Sequence, residues 1–159
     1  MTQLRELFEE FGFNNVGPYI NSGNLFFDTD NSNRQQLTEI IEQHLYEMLG
    51  YKVPTFLRTV AEVESILELN PFQHIEPTDD KRFCVMFTNE PINTNSALPL
   101  QSSKNDMDLV AVNPYEAFVV WHIISGRPPS GKFSSEVIPL ENTSRFYHTL
   151  VKILKAAKA

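Results

Sequence analysis

Met107-Asp108-Leu109-Val110-Ala111-Val112-Asn113-Pro114-Tyr115-Glu116-Ala117-Phe118-Val119-Val120-Trp121-His122-Ile123-Ile124 reads as two strands folded about a turn. Both arms are rich in β-branched and aromatic residues, which suit a pleated, half-buried surface. Asn113-Pro114-Tyr115-Glu116 has the residue types of a reverse turn, so the arms pair as an antiparallel hairpin. Upstream, Arg82 to Thr88 is a further strand, centred on the apolar run Phe83-Cys84-Val85-Met86-Phe87.

Helical periodicity dominates the other half of the chain. Leu4, Leu7, Phe8 and Phe11 recur at helical spacing, and Gly12 stops the pattern. Val16 to Asp28 is extended, with a tight turn or bulge expected at Asn21-Ser22-Gly23-Asn24. Asn33 with Gln36 can cap a second helix, whose stripe is Leu37, Ile40, Ile41, Leu45, Met48 and Leu49 before Gly50. Lys52 to Arg58 predicts a strand. Thr59 and Glu62 form a capping box for a third helix carrying Val60, Val63, Ile66 and Leu67, and Asn70-Pro71 ends it. Glu90 to Asn105 is a polar excursion, Ser125 to Lys132 a Gly/Pro loop, and Ser144 to Lys158 a last helix.

Helices mixed with antiparallel strands predict an α+β fold, its mixed or antiparallel sheets covered by helices on one face. The expected organisation is an N-terminal α/β half (1–70), a connector (71–80) and a C-terminal β-rich half ending in a helix (81–159). These two sheet-and-helix halves are expected to form one compact domain.

Composition narrows the function. Thirteen basic against twenty acidic residues give a net charge of −7, which repels phosphate backbones and makes nucleic acid an unfavourable partner. The lone cysteine, Cys84, sits in an apolar run, as expected of a buried thiol in a reducing, cytoplasmic setting. No apolar stretch is long enough to span a membrane. His44, His74 and His122 are far apart, so neither a metal site nor a cofactor is expected.

Gly126-Arg127-Pro128-Pro129-Ser130-Gly131-Lys132 has the spacing of a nucleotide-binding loop as far as the lysine. Phe133 stands where the magnesium-binding hydroxyl belongs, and Pro128 and Pro129 lack the N–H groups that hold phosphate. The expectation is a surface loop whose Arg127 and Lys132 attract at most a small anion. Asn21-Ser22-Gly23-Asn24 could form a polar cradle, though turn chemistry alone explains its residue types. Arg145 and His148, read at the start of the last helix, suit a carboxylate or phosphate, or a structural ion pair. Glu9-Glu10 and Asp79-Asp80 are solvated charge rather than paired catalytic acids.

Tyr19-Ile20-Asn21-Ser22-Gly23-Asn24-Leu25-Phe26-Phe27 resembles the signature of the bacterial domain-of-unknown-function 1697 family. Leu4 to Phe8 and Gly12-Phe13 are similar to that family's first helix and turn. Thr143-Ser144-Arg145 with His148-Thr149 resembles its segment Thr-Thr-Arg-Asn-Trp-Asn-Thr, although Phe146, Tyr147 and His148 replace Asn, Trp and Asn. Family members begin with a strand and a loop like Arg-Gly-Ile-Asn-Val-Gly-Gly, whereas this chain starts inside the following helix, so an open sheet edge is expected. The resemblance implies an α+β fold of two related halves and no activity.

The functional expectation is a small-ligand-binding or interaction module, with Tyr19, Asn21, Ser22, Gly23, Asn24, Arg145 and His148 converging on one polar concavity. A small anionic ligand and a homo-oligomer are its conceivable partners. One alternative is an enzyme acting on a small anionic metabolite, with Arg145 binding the anion and Tyr19, Ser22 or His148 moving protons. Another is weak nucleic-acid binding through Arg127, Lys132 and Lys152.

Overall fold

The computed structural model describes residues 2–18, 23–95 and 97–159, with side chains for all of these except residues 2–4 and Pro18. The chain divides into two compact units, Met1–Ser65 with Leu150–Ala159, and Ile66–Thr149. Among the described residues all strand pairs are antiparallel and four helices accompany seven strands, so the protein is α+β.

In the first unit, helix α1 (Thr2–Glu10) precedes a two-stranded sheet of β1 (Asn14–Pro18) and β2 (Leu25–Asp28). Helix α2 (Arg34–Leu49) follows. Asn33 caps α2 by accepting the Gln36 N–H on its side-chain oxygen at 3.1 Å, which satisfies one of the helix's free N–H groups. Leu37, Ile41 and Leu45, spaced one turn apart, are buried with Leu7, Phe8 and Val16. Phe13 stacks on Phe27 at 4.4 Å, and Phe8 lies 5.5 Å from the same ring. Burying Ile41 completely contributes about 2–3 kcal/mol.

Residues 52–59 carry no strand, against the sequence expectation. A strand is defined by its ladder, and here the Thr55 N–H donates to a Glu42 carboxylate oxygen at 2.9 Å. Val53 and Leu57 still pack on the unit's core, which accounts for their apolar pattern. Helix α3 (Val60–Leu69) starts with the anticipated box, Thr59 N–H to Glu62 at 2.8 Å and Glu62 N–H to the Thr59 hydroxyl at 3.1 Å.

The second unit is built on a five-stranded sheet: β3 (Lys81–Thr88), β4 (Leu100–Gln101), β5 (Met107–Val112), β6 (Glu116–His122) and β7 (Asn142–Phe146). Their spatial order is β4-β5-β6-β3-β7. The β5–β6 hairpin turns at Asn113, whose N–H donates to Glu116 O at 2.8 Å.

Alternation along the strands separates two faces. One carries Val120, Phe118, Phe83, Val85 and Arg145. Phe72 stacks on Phe83 at 4.7 Å on that side, and Tyr147, whose hydroxyl donates to Leu67 O at 2.7 Å, packs against Phe72. The other carries Ala117, Val119, Trp121, Met86, Cys84, Arg82 and Phe146. Ile92, Phe133, Val137 and Ile138, from the segments outside the strands, cluster with Ala117, Val119 and Trp121.

Ser144 to Phe146, read from the sequence as the beginning of the last helix, are strand. They pair with β3, Val85 opposite Arg145 and Cys84 opposite Phe146. Helix α4 (Tyr147–Lys158) begins directly after them.

Candidate functional site

Asp106 organises the loop that resembles a phosphate cradle. Its carboxylate accepts the Ser102 hydroxyl at 2.6 Å and the N–H groups of Ser130 and Gly131 at 2.8 and 3.0 Å. The Ser102 hydrogen bond, helped by those N–H groups, holds the Asp106 carboxyl below its usual range despite the upward pull of burial. The Ser103 hydroxyl accepts the Lys132 N–H at 3.0 Å, and Lys104 Nζ donates to the Ser130 hydroxyl at 3.1 Å. A Cβ on Gly131 would stand 2.5 Å from Asp106 Oδ1, so only glycine fits there without a shift. The donors that would face a phosphate are therefore taken by the protein's own carboxylate. Arg127 lies on the other side of a two-residue turn, Ser125 and Gly126 both at positive φ, closed by paired Ile124–Arg127 backbone bonds.

Tyr19, Asn21 and Ser22 lie outside the described residues. Gly23 has φ +85, the conformation a glycine turn supplies, and Asn24 is half-buried. Both belong to the first unit, whereas Arg145 and His148 belong to the second. Arg145 is half-buried on β7. Burial pulls its guanidinium pKa down, and Nη1 donates to the Thr143 hydroxyl at 2.6 Å and to Ser144 O at 2.8 Å. His148, in the first turn of α4, is exposed and stacks on Phe146 at 5.6 Å with 15° between the rings. Successive strand residues point to opposite faces, so the side chain of Arg145 and the ring on which His148 rests leave β7 on opposite sides.

Two arrangements on this unit were not anticipated from the sequence, although His148 of the first was singled out there. The first is an aromatic ledge. Trp121 on β6 and Phe146 on β7 flank the intervening strand β3, and their rings meet edge to face at 5.2 Å. They can meet because β3 offers the small Cys84 side chain on that face, opposite both Val119 and Phe146. Cys84 is fully buried, and burial pushes its thiol up to about 12. His148 extends the ring series into solvent. Among the described residues no hydrogen bond engages the Trp121 indole N–H or the His148 ring, and no buried side-chain nitrogen or oxygen lacks a partner, so the indole N–H is open to water.

The second is a hydrogen-bonded histidine–carboxyl pair on the opposite face. His122 Nε2 lies 2.7 Å from Asp108 Oδ2, both side chains about one quarter exposed at 29% and 26%. A carboxylate so placed fixes the imidazole's orientation, as a general base requires. The signal for this pair was its register: Asp108 lies opposite Val120, on the face of His122. The signal for the ledge was Trp121 in the alternation of β6, with Phe146 two residues before His148. Among the described residues no three His, Cys, Asp or Glu side chains are placed to hold a metal ion, and no helix is long and apolar enough to cross a membrane.

Antiparallel sheets with accompanying helices in two units define an α+β protein without an assembled metal site among its described residues. The chain matches the family model described as "Protein of unknown function (DUF1697)" over residues 1–118, and it belongs to that family. Its fold is similar to that of SP0830, a conserved bacterial protein from Streptococcus pneumoniae, with a TM-score of 0.69 and 24% sequence identity over 100% of this chain and 89% of that one. No curated protein matches.

Proposed function

We propose that the protein is a non-catalytic small-ligand-binding module, and that the ledge of Trp121, Phe146 and His148 is its binding surface. The observation that carries this reading is the ring series itself, which ends in an exposed imidazole. Aromatic faces held by a sheet present area at little entropic cost, because the backbone is already fixed. The net charge of −7 favours a small ligand over nucleic acid, and the buried thiol fits a cytoplasmic setting. A thermal-shift panel of nucleotides, aromatic acids and sugar phosphates tests the reading. Ring-bearing compounds should raise the melting temperature of the wild type and not of His148→Ala. A panel in which no compound discriminates the two proteins sinks it.

The His122–Asp108 pair favours a second reading, an enzyme acting on a small anionic metabolite with His122 as its proton-transfer group. Turnover of any compound in a metabolite screen that disappears in Asp108→Asn would support it. Equal activity in both proteins would remove it.

A further inference from the structure

We infer that the ledge takes a planar nitrogen heteroaromatic compound bearing an anionic group, of which a mononucleotide is the simplest class; this rests on the binding reading above. The planar requirement comes from the rings. Trp121, Phe146 and His148 form one contiguous series, with centroids 5.2 and 5.6 Å apart, and His148 and Phe146 are nearly parallel. A further flat ring adds to such a series by offset stacking or edge-to-face contact, and every nucleobase has the required π-face. The heteroatom requirement comes from the polar tips. The indole N–H of Trp121 and the imidazole of His148 hold no hydrogen bond among the described residues, so they can meet acceptors on a ring edge.

The anionic requirement comes from Arg82. The β3–β6 register sets it directly opposite Trp121, on the same face. Its Nη1 is fixed by Asp79 O and Lys81 O, each at 2.8 Å. These are neutral carbonyls, and among the described residues no carboxylate pairs with the guanidinium. The neighbouring Asp80 is turned to the Thr78 hydroxyl. Arg82 is therefore an oriented cation with its remaining donors unused, beside a stacking surface. In a chain of net charge −7, a fixed cation on the same face as the half-buried Trp121 and Phe146 rings, which lead to the exposed His148 imidazole, selects for a ligand with both a plane and a negative charge. A phosphate alone would leave the rings uncovered, and an uncharged ring would leave the cation unmet.

Trp121 is the chain's single tryptophan, so its fluorescence reports the ledge directly. The full chain is titrated with adenosine monophosphate, adenosine and inorganic phosphate, with excitation at the red edge of indole absorption. Saturable quenching by the monophosphate, roughly tenfold weaker with adenosine and roughly tenfold weaker in Arg82→Gln and in His148→Ala, is the expected result. Far-UV circular dichroism establishes that both variants fold, and each removes a side chain exposed to solvent. Equal affinity for adenosine and the monophosphate, with no effect of Arg82→Gln, overturns the anionic class while leaving the binding reading intact. Inorganic phosphate displacing the monophosphate at equal affinity overturns the planar class. Much tighter binding of a single-stranded oligonucleotide overturns the small-molecule class. No saturable quenching and no thermal shift with any ring compound overturns both this inference and the binding reading.

Discussion

Asp106 holds Gly131 in two ways: Oδ2 accepts the glycine's N–H at 3.0 Å, and Oδ1 lies 2.5 Å from the place a Cβ on that residue would occupy. The loop is thus shaped around a carboxylate that the protein supplies itself. The glycine is there for close approach, since the carboxylate is in turn fixed by Ser102.

Asp106 should therefore carry an acid-dependent share of stability. Its folded pKa is depressed, chiefly by the Ser102 hydroxyl. A depressed carboxylate contributes fully above the ordinary aspartate value, about 4, and loses that contribution as pH falls through its lower folded value. Asp106→Asn should cost about 2–3 kcal/mol at neutral pH and show a shallower loss on acidification. Urea midpoints measured across the acid range check this, and parallel acid limbs in the two proteins would contradict it.

Gly131→Ala should destabilise the protein by about 1–3 kcal/mol through overpacking against Asp106. Because the two residues touch, its effect should be non-additive with Asp106→Ala, which makes room for the methyl group. A double-mutant cycle in urea reads the coupling; simple additivity would show that the loop moves away instead.

Asn33→Ala removes the side-chain acceptor of the Gln36 N–H at the start of α2. The expected loss is about 1 kcal/mol, with Asn33→Asp or Asn33→Ser restoring it. An unchanged denaturation midpoint for the alanine variant would mean that water replaces the cap without cost.

Cys84 should be inert to thiol reagents in the native state, because it is fully buried and its thiol is pushed up to about 12. Labelling in mildly alkaline buffer should proceed only as fast as the protein opens, and should become immediate in denaturant. Rapid stoichiometric labelling without denaturant would show that the roof of Trp121 and Phe146 is open.

Local patterns carried much of the fold into the sequence. The β5–β6 hairpin was legible because its turn chemistry and both strands are adjacent, and α2 because Asn33, Leu37, Ile41 and Leu45 keep one period from cap to core. Two segments misled for opposite reasons. Val53 and Leu57 supply a strand's apolar residues while packing on a core without a ladder. Phe146 continues the apolar spacing of α4, yet its backbone pairs with Cys84, a partner that local spacing cannot indicate. The site was less legible still. Asp106 is defined by Ser102, Ser130 and Gly131, which reach it from separate loops, and the ledge needs β3 to lie between Trp121 and Phe146.

The order in which the chain is synthesised matters for such a layout. Strand β3 (Lys81–Thr88) is made well before its neighbour β7 (Asn142–Phe146), and the first unit joins Met1–Ser65 to Leu150–Ala159. Neither unit is complete until the ribosome has delivered these late residues, so the nascent chain is expected to wait with apolar surface uncovered. Stalled chains ending before Asn142 should accordingly be digested by protease at both units and should lean on chaperones, whereas the released full chain resists. Protection of the first unit in such stalled chains would show that it closes without its late-made helix.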